Sequence, residues 1–413
     1  MSAPSAPSTA AAALVGRASY AVFAVFALNG FLFAGWVSRL PAVRDLLGLS
    51  PAQIGLILLV GSAGSVLALP LTGAVVVRIG TARTVLVAAG VACLGMGLVA
   101  LAVALGLAPM LAACLFVAQI GIAGWDVAMN LEGAAVERLL GRAIMPRYHA
   151  GFSVGTVAGA GFGALSARLG LDVSVHLVVV LAVVALAVVA SVRFFLPAAL
   201  EHAGEEPAAT EKHGAGRSVF GAWLEPRTLL IGLLVLSAAL TEGAANDWLS
   251  LAVIEGFELR DDAAALVLAV FLASMTGMRF FGTGLLDRFG RVAVLRLCIA
   301  LALVGLALFA LAPWMPVAVA GAVLWGFGAA LGFPVGMSAA SDDPAHAAAR
   351  VSVVASIGYT AFLAGPPLLG LLAEHVGYRN ALLAILVPLA ISLLVTRSAA
   401  PPGPEPERPD ARG

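Results

Sequence analysis

Charge is scarce in this chain. Only 11% of the 413 residues are Asp, Glu, Lys or Arg, against about 25% in soluble domains. A water-facing shell cannot be built from so few, and that excludes an ordinary globular protein. The formal net charge is zero, which excludes a broad basic face for nucleic acid. Cysteine is scarcer still: Cys93, Cys114 and Cys298 fall inside apolar runs at unrelated spacings, giving neither a disulfide framework nor a metal cluster. No Walker A sequence is present, so no ATP-driven step is expected, and no cofactor is called for. His149 and His176 have no ligand-spaced partners, which argues against an intramembrane enzyme.

What fills the chain instead is hydrocarbon. Hydrophobic residues make up 61% and the mean hydropathy is +1.03. Apolar runs of about 20 residues recur from end to end, each long enough to cross a bilayer core of about 30 Å. Such helices, apolar all round, have no place on the outside of a soluble core. The reading is an all-α membrane protein with twelve transmembrane helices, at 18–40, 52–77, 84–106, 109–136, 149–168, 173–196, 227–252, 264–286, 292–312, 315–340, 350–373 and 379–396. Polar punctuation such as RIGTAR, RLGLD, DRFGR and SDDPAHAAAR separates them.

The longest polar stretch, PAALEHAGEEPAATEKHGAGRS, divides the spans six and six. The expected organisation is a disordered tail at 1–17, a first six-helix bundle at 18–196, a linker at 197–226, a second bundle at 227–396 and a Pro-rich tail at 397–413. With the N-terminus inside, 17 basic residues fall on inner segments, five on outer ones, and Arg279 within a span. That bias places both termini in the cytoplasm. An alanine- and arginine-rich composition with a single lysine suggests a bacterial inner membrane.

The halves echo one another in order. AGWVSRL in span one answers NDWLSLA in span seven, and RIGTAR after span two answers RFGRV after span eight. FSVGT and GALSARLG in span five answer ASIGY and GLLAEHVG in span eleven. Duplication with both halves in the same topology predicts two bundles related by a pseudo-two-fold axis along the membrane normal.

Against this background the few charges inside spans stand out, because each costs several kcal/mol unless it faces protein or water. In span four, Gln119, Asp126, Asn130, Gly133 and Glu137 share one stripe at about 100° per residue. Asp126 lies about 16 Å from the expected cytoplasmic end. Glu132 is off that stripe and is expected to reach headgroups or an arginine. In span seven Glu242, Asn246 and Ser250 share a stripe with Asp247 on its flank. Asp126, Glu242 and Asp247 are the candidates for carrying protons, since burial favours the neutral carboxyl. Asn130 and Asn246 are candidate substrate contacts beside them. Arg279, in MTGMRF, needs an anion: Asp126 at similar depth, or Asp287 if it snorkels.

The loop motifs resemble the major facilitator superfamily, whose signature after span two is Gly-x-Leu-x-Asp-Arg-x-Gly-Arg. The first copy, GAVVVRIGTAR, keeps Gly73, Arg78, Gly80 and Arg83 but has Val77 in place of Asp; the second keeps Asp287, Arg288, Gly290 and Arg291. The resemblance implies that Arg78, Arg83, Asp287, Arg288 and Arg291, with Arg279, gate or latch one half against the other. Asp126 with Asn130, and Glu242 upstream of Trp248, are similar to the fucose-permease-like branch and its bacterial inner-membrane members. That branch's sugar carrier also has an Asp in span one, which FALNGFLFAGWVSRLP lacks. The resemblance further implies that spans one, four, seven and ten line a central cavity. This makes Asn29, Trp36, Trp125, Trp248 and Trp325 candidate substrate contacts, whereas Trp223 and Trp314 read as interfacial.

The expected function is therefore secondary active transport of a small polar solute, a sugar or similar metabolite, by alternating access and with proton coupling. The chain is expected to act as a monomer in the lipid bilayer, without metal or nucleic acid. The runner-up is proton-driven efflux of amphipathic compounds, which Ala160 disfavours because antiporters of the superfamily place a Pro there.

Overall fold

The computed structural model describes residues 9–140, 144–197, 221–343 and 346–401. Among them are helices and turns with no strand, and twelve helices are long and apolar enough to cross a membrane. Span one comprises α1 (Thr9–Val37) and a short α2 (Leu40–Leu47). Spans two to six are α3 (Pro51–Ile79), α4 (Thr81–Ala104), α5 (Ala108–Leu140), α6 (Met145–Arg168) and α7 (Val173–Val192). Span seven is α8 (Pro226–Phe257), and α9 (Asp261–Leu311) carries spans eight and nine. Span ten is α10 (Met315–Ala329) followed by α11 (Gly332–Ala340). Span eleven is α12 (Ala347–Val376), and span twelve begins with α13 (Tyr378–Leu382) and continues as α14 (Leu386–Val395).

Local chemistry explains most boundaries. Span two opens with Ser50, whose Oγ accepts from the Gln53 amide while the Gln53 side chain accepts from the Ser50 amide, with Pro51 next. This reciprocal pair satisfies two of the orphan donors of the first turn. The two copies of the loop motif make the same turn. Gly80 has φ 80, ψ 164 and Gly290 has φ 74, ψ 164, a backbone region open to glycine and strained for any residue with a Cβ. The predicted gap between spans eight and nine therefore shrinks to one glycine in α9. At the other extreme, the helix of span one starts at Thr9, inside the tail expected to be disordered. Residues 1–8 and 402–413, and 198–220 of the expected linker, lie outside the described residues.

The halves meet along two helix pairs, span five with span eight and span two with span eleven. We call the end of the molecule where the described chain begins and finishes the terminal end, and its opposite the far end. At the far end, spans two and eleven pack backbone to backbone. A Cβ on Gly55 would lie 2.6 Å from the Pro366 carbonyl oxygen, and one on Gly370 would lie 2.6 Å from that of Pro51. Pro366 and Pro367 interrupt the hydrogen-bond ladder of span eleven. Glu374 then closes the seam by accepting from the Ala52 amide at 3.0 Å, and Arg44 sits over the Tyr378 ring at 5.8 Å. Ala52 lies in the first turn of span two, where a carboxylate also meets the positive end of the helix dipole.

Candidate functional site

Polar residues converge midway along the spans, on the surfaces where the halves face each other. By helical rise, Asp126 stands about 21 Å from Leu140, Glu242 about 24 Å from Pro226 and Arg279 about 16 Å from Gly290. Span four runs on to Leu140, past the boundary expected at 136, so Asp126 is deeper than the sequence implied.

The centre of the site is Arg279, and its partner corrects the expectation. Its Nη2 donates to Glu242 Oε2 at 3.0 Å, with both side chains less than a quarter exposed. Neither Asp126 nor Asp287 takes it. Arg279 Nε donates to the Ala330 carbonyl at 3.2 Å, at the break between α10 and α11. Such a break frees a carbonyl that a buried donor can satisfy. Arg279 Nη1 reaches Ser153 Oγ of span five at 3.4 Å, across the boundary between halves. One guanidinium thus ties together spans five, seven, eight and ten.

Asp126 has no such partner. Asn130 Nδ2 donates to the Asp126 backbone carbonyl at 2.8 Å and to its Oδ1 at 3.4 Å, and no cation pairs with it among the described interactions. Across the gap, the Tyr359 hydroxyl of span eleven lies within electrostatic reach of its carboxylate. Asp247, about 1.4 turns beyond Glu242, is also without a described partner; it lines a cleft between spans seven and eleven with Gly243, Phe362 and Gly365. Asn246 is buried, with no hydrogen bond described.

The remaining candidates fall into three groups. Asn29 is buried and spends its amide on the Ile122 carbonyl at 3.5 Å, joining spans one and four. Trp36, Trp125, Trp248 and Trp325 are all buried in the core. Trp325 packs between Phe271 and Phe309, with centroids 5.3 and 5.9 Å away, and Trp248 lies 5.6 Å from Tyr378. The rings of Trp248 and Trp325 thus pack on neighbouring aromatic side chains, and Trp248 also lines the cleft between spans seven and eleven. Trp223 and Trp314 are exposed, 41% and 71%, as interfacial residues should be.

Of the expected latch, Arg78, Arg83, Asp287 and Arg288 are exposed; Arg288 lies over the neighbouring Phe289 ring at 5.2 Å. Arg291 is engaged, donating to Asp342 at 2.6 Å and Ser338 at 3.2 Å, with Arg227 on the other Asp342 oxygen at 2.8 Å. All of these lie in the second half, so this bond holds spans seven, nine and ten to one another. Glu132 turns inward rather than toward headgroups. Its carboxylate is fully buried, accepting from Thr81 Oγ1 at 2.5 Å and from the Leu196 amide at 2.7 Å.

Tyr359, Phe362 and Ser153 went unnoticed in the sequence. The only signal was that Ser153 and Tyr359 sit in the echoed segments FSVGT and ASIGY.

Two six-helix halves built on the same turn motif, meeting through spans two, five, eight and eleven, agree with the family profile for the Major Facilitator Superfamily. That profile matches residues 20–360 and 231–413. The chain belongs to the major facilitator superfamily. It is 32% identical over 375 residues to the uncharacterized transporter y4wD of Sinorhizobium fredii, covering 88% of this chain and 95% of the relative. Among solved structures it is similar to the nucleoside transporter NupG, with TM-score 0.73 and 15% identity over 92% of this chain and 98% of that one. The E. coli fucose:proton symporter FucP gives TM-score 0.56 at 17% identity, over 93% and 99%. At those identities the likeness shows the fold. The protein is thus a multi-pass membrane transporter of the superfamily type.

Proposed function

We propose that this transporter is a secondary carrier that moves a small polar solute across the bacterial inner membrane by alternating access, coupled to protons, with both termini in the cytoplasm. The observation that carries the reading is the contrast between two mid-span carboxylates. Glu242 is held by the Arg279 guanidinium, whereas Asp126 has only the Asn130 amide as a described partner. An unpaired carboxyl at that depth can exist neutral at modest cost and ionise when water reaches it. That is what a proton carrier between two access states requires. Tyr359 of span eleven stands across from it within electrostatic reach, a hydroxyl from the other half that a polar solute can meet. The backbone seam at the far end and Glu374 on the first turn of span two form the gate that must open for the alternate state.

The test uses purified protein in liposomes loaded with a pH-sensitive dye and challenged with hexoses, polyols, amino sugars and nucleosides. We expect at least one of these solutes to drive proton movement. Asp126→Asn should abolish that movement while sparing solute exchange, because Asn keeps the size of Asp but cannot release a proton. Its melting midpoint should stay near that of the parent protein, since no ion pair is lost. Undiminished proton flux in Asp126→Asn would remove this residue from the coupling path. Failure of every solute to move would sink the carrier reading.

A further inference from the structure

The cleft between spans seven and eleven holds a carboxylate that the structure leaves without a counter-charge. Asp247 is joined there by Leu240, Gly243, Trp248, Phe362 and Gly365. Every other wall group is apolar or aromatic. The glycines shape the space: a Cβ on Gly243 would press on the Phe362 ring at 3.3 Å, and one on Gly365 would meet Leu240 at 2.9 Å. Phe362 is in turn 6.3 Å from Tyr359, centroid to centroid. An aromatic path therefore leads from the cleft to the surface facing Asp126.

Charge accounting gives the occupant. Midway along the spans lie three carboxylates, Asp126, Glu242 and Asp247, and one guanidinium, Arg279. The guanidinium is spent on Glu242. Among the described residues Asp126 and Asp247 have no cationic partner, and Arg279 is already engaged by Glu242. An anionic solute would therefore meet acidic groups there with no free arginine to receive it. A neutral solute would leave Asp247 as it is, a polar group among apolar walls. A cation neutralises it, and the faces of Phe362 and Tyr359 attract positive charge as well.

We propose that the transported solute is an amine-bearing organic cation whose ammonium head docks in this cleft against Asp247 and the Phe362 ring. The idea rests on the carrier reading and narrows its substrate class. It leaves Asp126, on the other half, for coupling. It also separates this chain's solute from plain sugars by charge rather than by ring shape.

The experiment is a melting assay on the full-length protein in detergent at neutral pH, with matched probes. Glucosamine is set against glucose and glucuronate, and choline against its neutral isostere 3,3-dimethylbutanol. We expect at least one of the two cations to raise the midpoint by about 2–5 °C when present about 100-fold above its dissociation constant. The neutral and acidic counterparts should not. Asp247→Asn should lose the shift, Asp247→Glu should recover part of it, and Phe362→Leu should weaken the response to choline. The proposal is overturned if neither cation stabilises the protein, if the neutral counterparts stabilise it equally, or if Asp247→Asn, folded by its own melting curve, still responds. A protein that exchanges neutral hexoses in liposomes but ignores both cations would keep the carrier reading and lose this one.

Discussion

The two halves hold their buried acids differently. In the first half the described partners include hydroxyls, a side-chain amide and backbone amides. Glu132 accepts from a threonine hydroxyl and a backbone amide, Glu137 from the amides of Ile144 and Met145 at 2.5 and 2.7 Å, and Asp126 from Asn130. In the second half arginines hold several: Arg279 on Glu242, Arg227 and Arg291 on Asp342, Arg350 on Glu225 and Asp343, while Glu255 and Glu374 accept from the amides of Tyr378 and Ala52. The difference follows the motif copies. The first copy has Val77 where the second has Asp287, and its Arg78 and Arg83 lie exposed, while Arg291 of the second is drawn into the bundle by Asp342. A neutral donor can satisfy either charge state of a carboxyl with small rearrangement, whereas an arginine demands the charged one. On the proposed reading, Asp126 of the first half is the carboxyl placed to exchange a proton, while Glu242 and Asp342 of the second are tied to arginines.

The comparison breaks most visibly at Arg279. Arg279→Gln leaves Glu242 buried and unpaired, and we expect a loss of about 3 kcal/mol, read as poor expression and a lower melting midpoint. Adding Glu242→Gln to the same chain should restore much of it, because the cost lies in the orphaned charge. If the double variant is as unstable as the single one, the pair is not the source.

A smaller effect is expected from Glu132→Gln in the first half. The amide keeps one acceptor and loses the other of two hydrogen bonds, at about 1–2 kcal/mol. The melting midpoint of the variant beside that of the parent protein reads the loss, and an unchanged midpoint would remove these two bonds from the account.

The smallest effect concerns Glu225, just before span seven. Hydrogen bonding to Arg350 holds its carboxyl below the ordinary value of 4.5. The folded-state value is the lower one, so its stabilisation is fully present above the unfolded value and is lost as pH falls through the folded one. Acidification below about pH 4.5 should therefore lower the melting midpoint of the parent protein more than that of Glu225→Gln. Equal acid sensitivity in the two would remove this pair from the terminal-end network.

Much of the molecule was legible in its residues. Twelve spans, their division six and six, and the repeated turn at Gly80 and Gly290 follow from hydrocarbon length and from a motif that occurs twice. The stripes carrying Asp126 with Asn130, and Glu242 with Asn246, follow from the helical period. Span ends shifted where capping and helix breaks outrank hydropathy: the start of span one moved to Thr9, and span ten divided at Ala330.

Periodicity says which side of a helix a residue occupies, not which helix stands opposite. Sequence alone therefore determined that Arg279 must find an anion, and only the tertiary packing decided that it is Glu242 of span seven rather than Asp126 of span four. The same limit explains the tryptophans. An indole at mid-depth suits a cavity wall or a core equally well, and the neighbours Phe271 and Phe309, from spans eight and nine, made Trp325 core. The place of Glu132 off the Asp126 stripe and near the span's end pointed it toward headgroups or an arginine. Thr81 and Leu196 are 51 and 64 residues away, and they meet it only because spans three, four and six close around the same point.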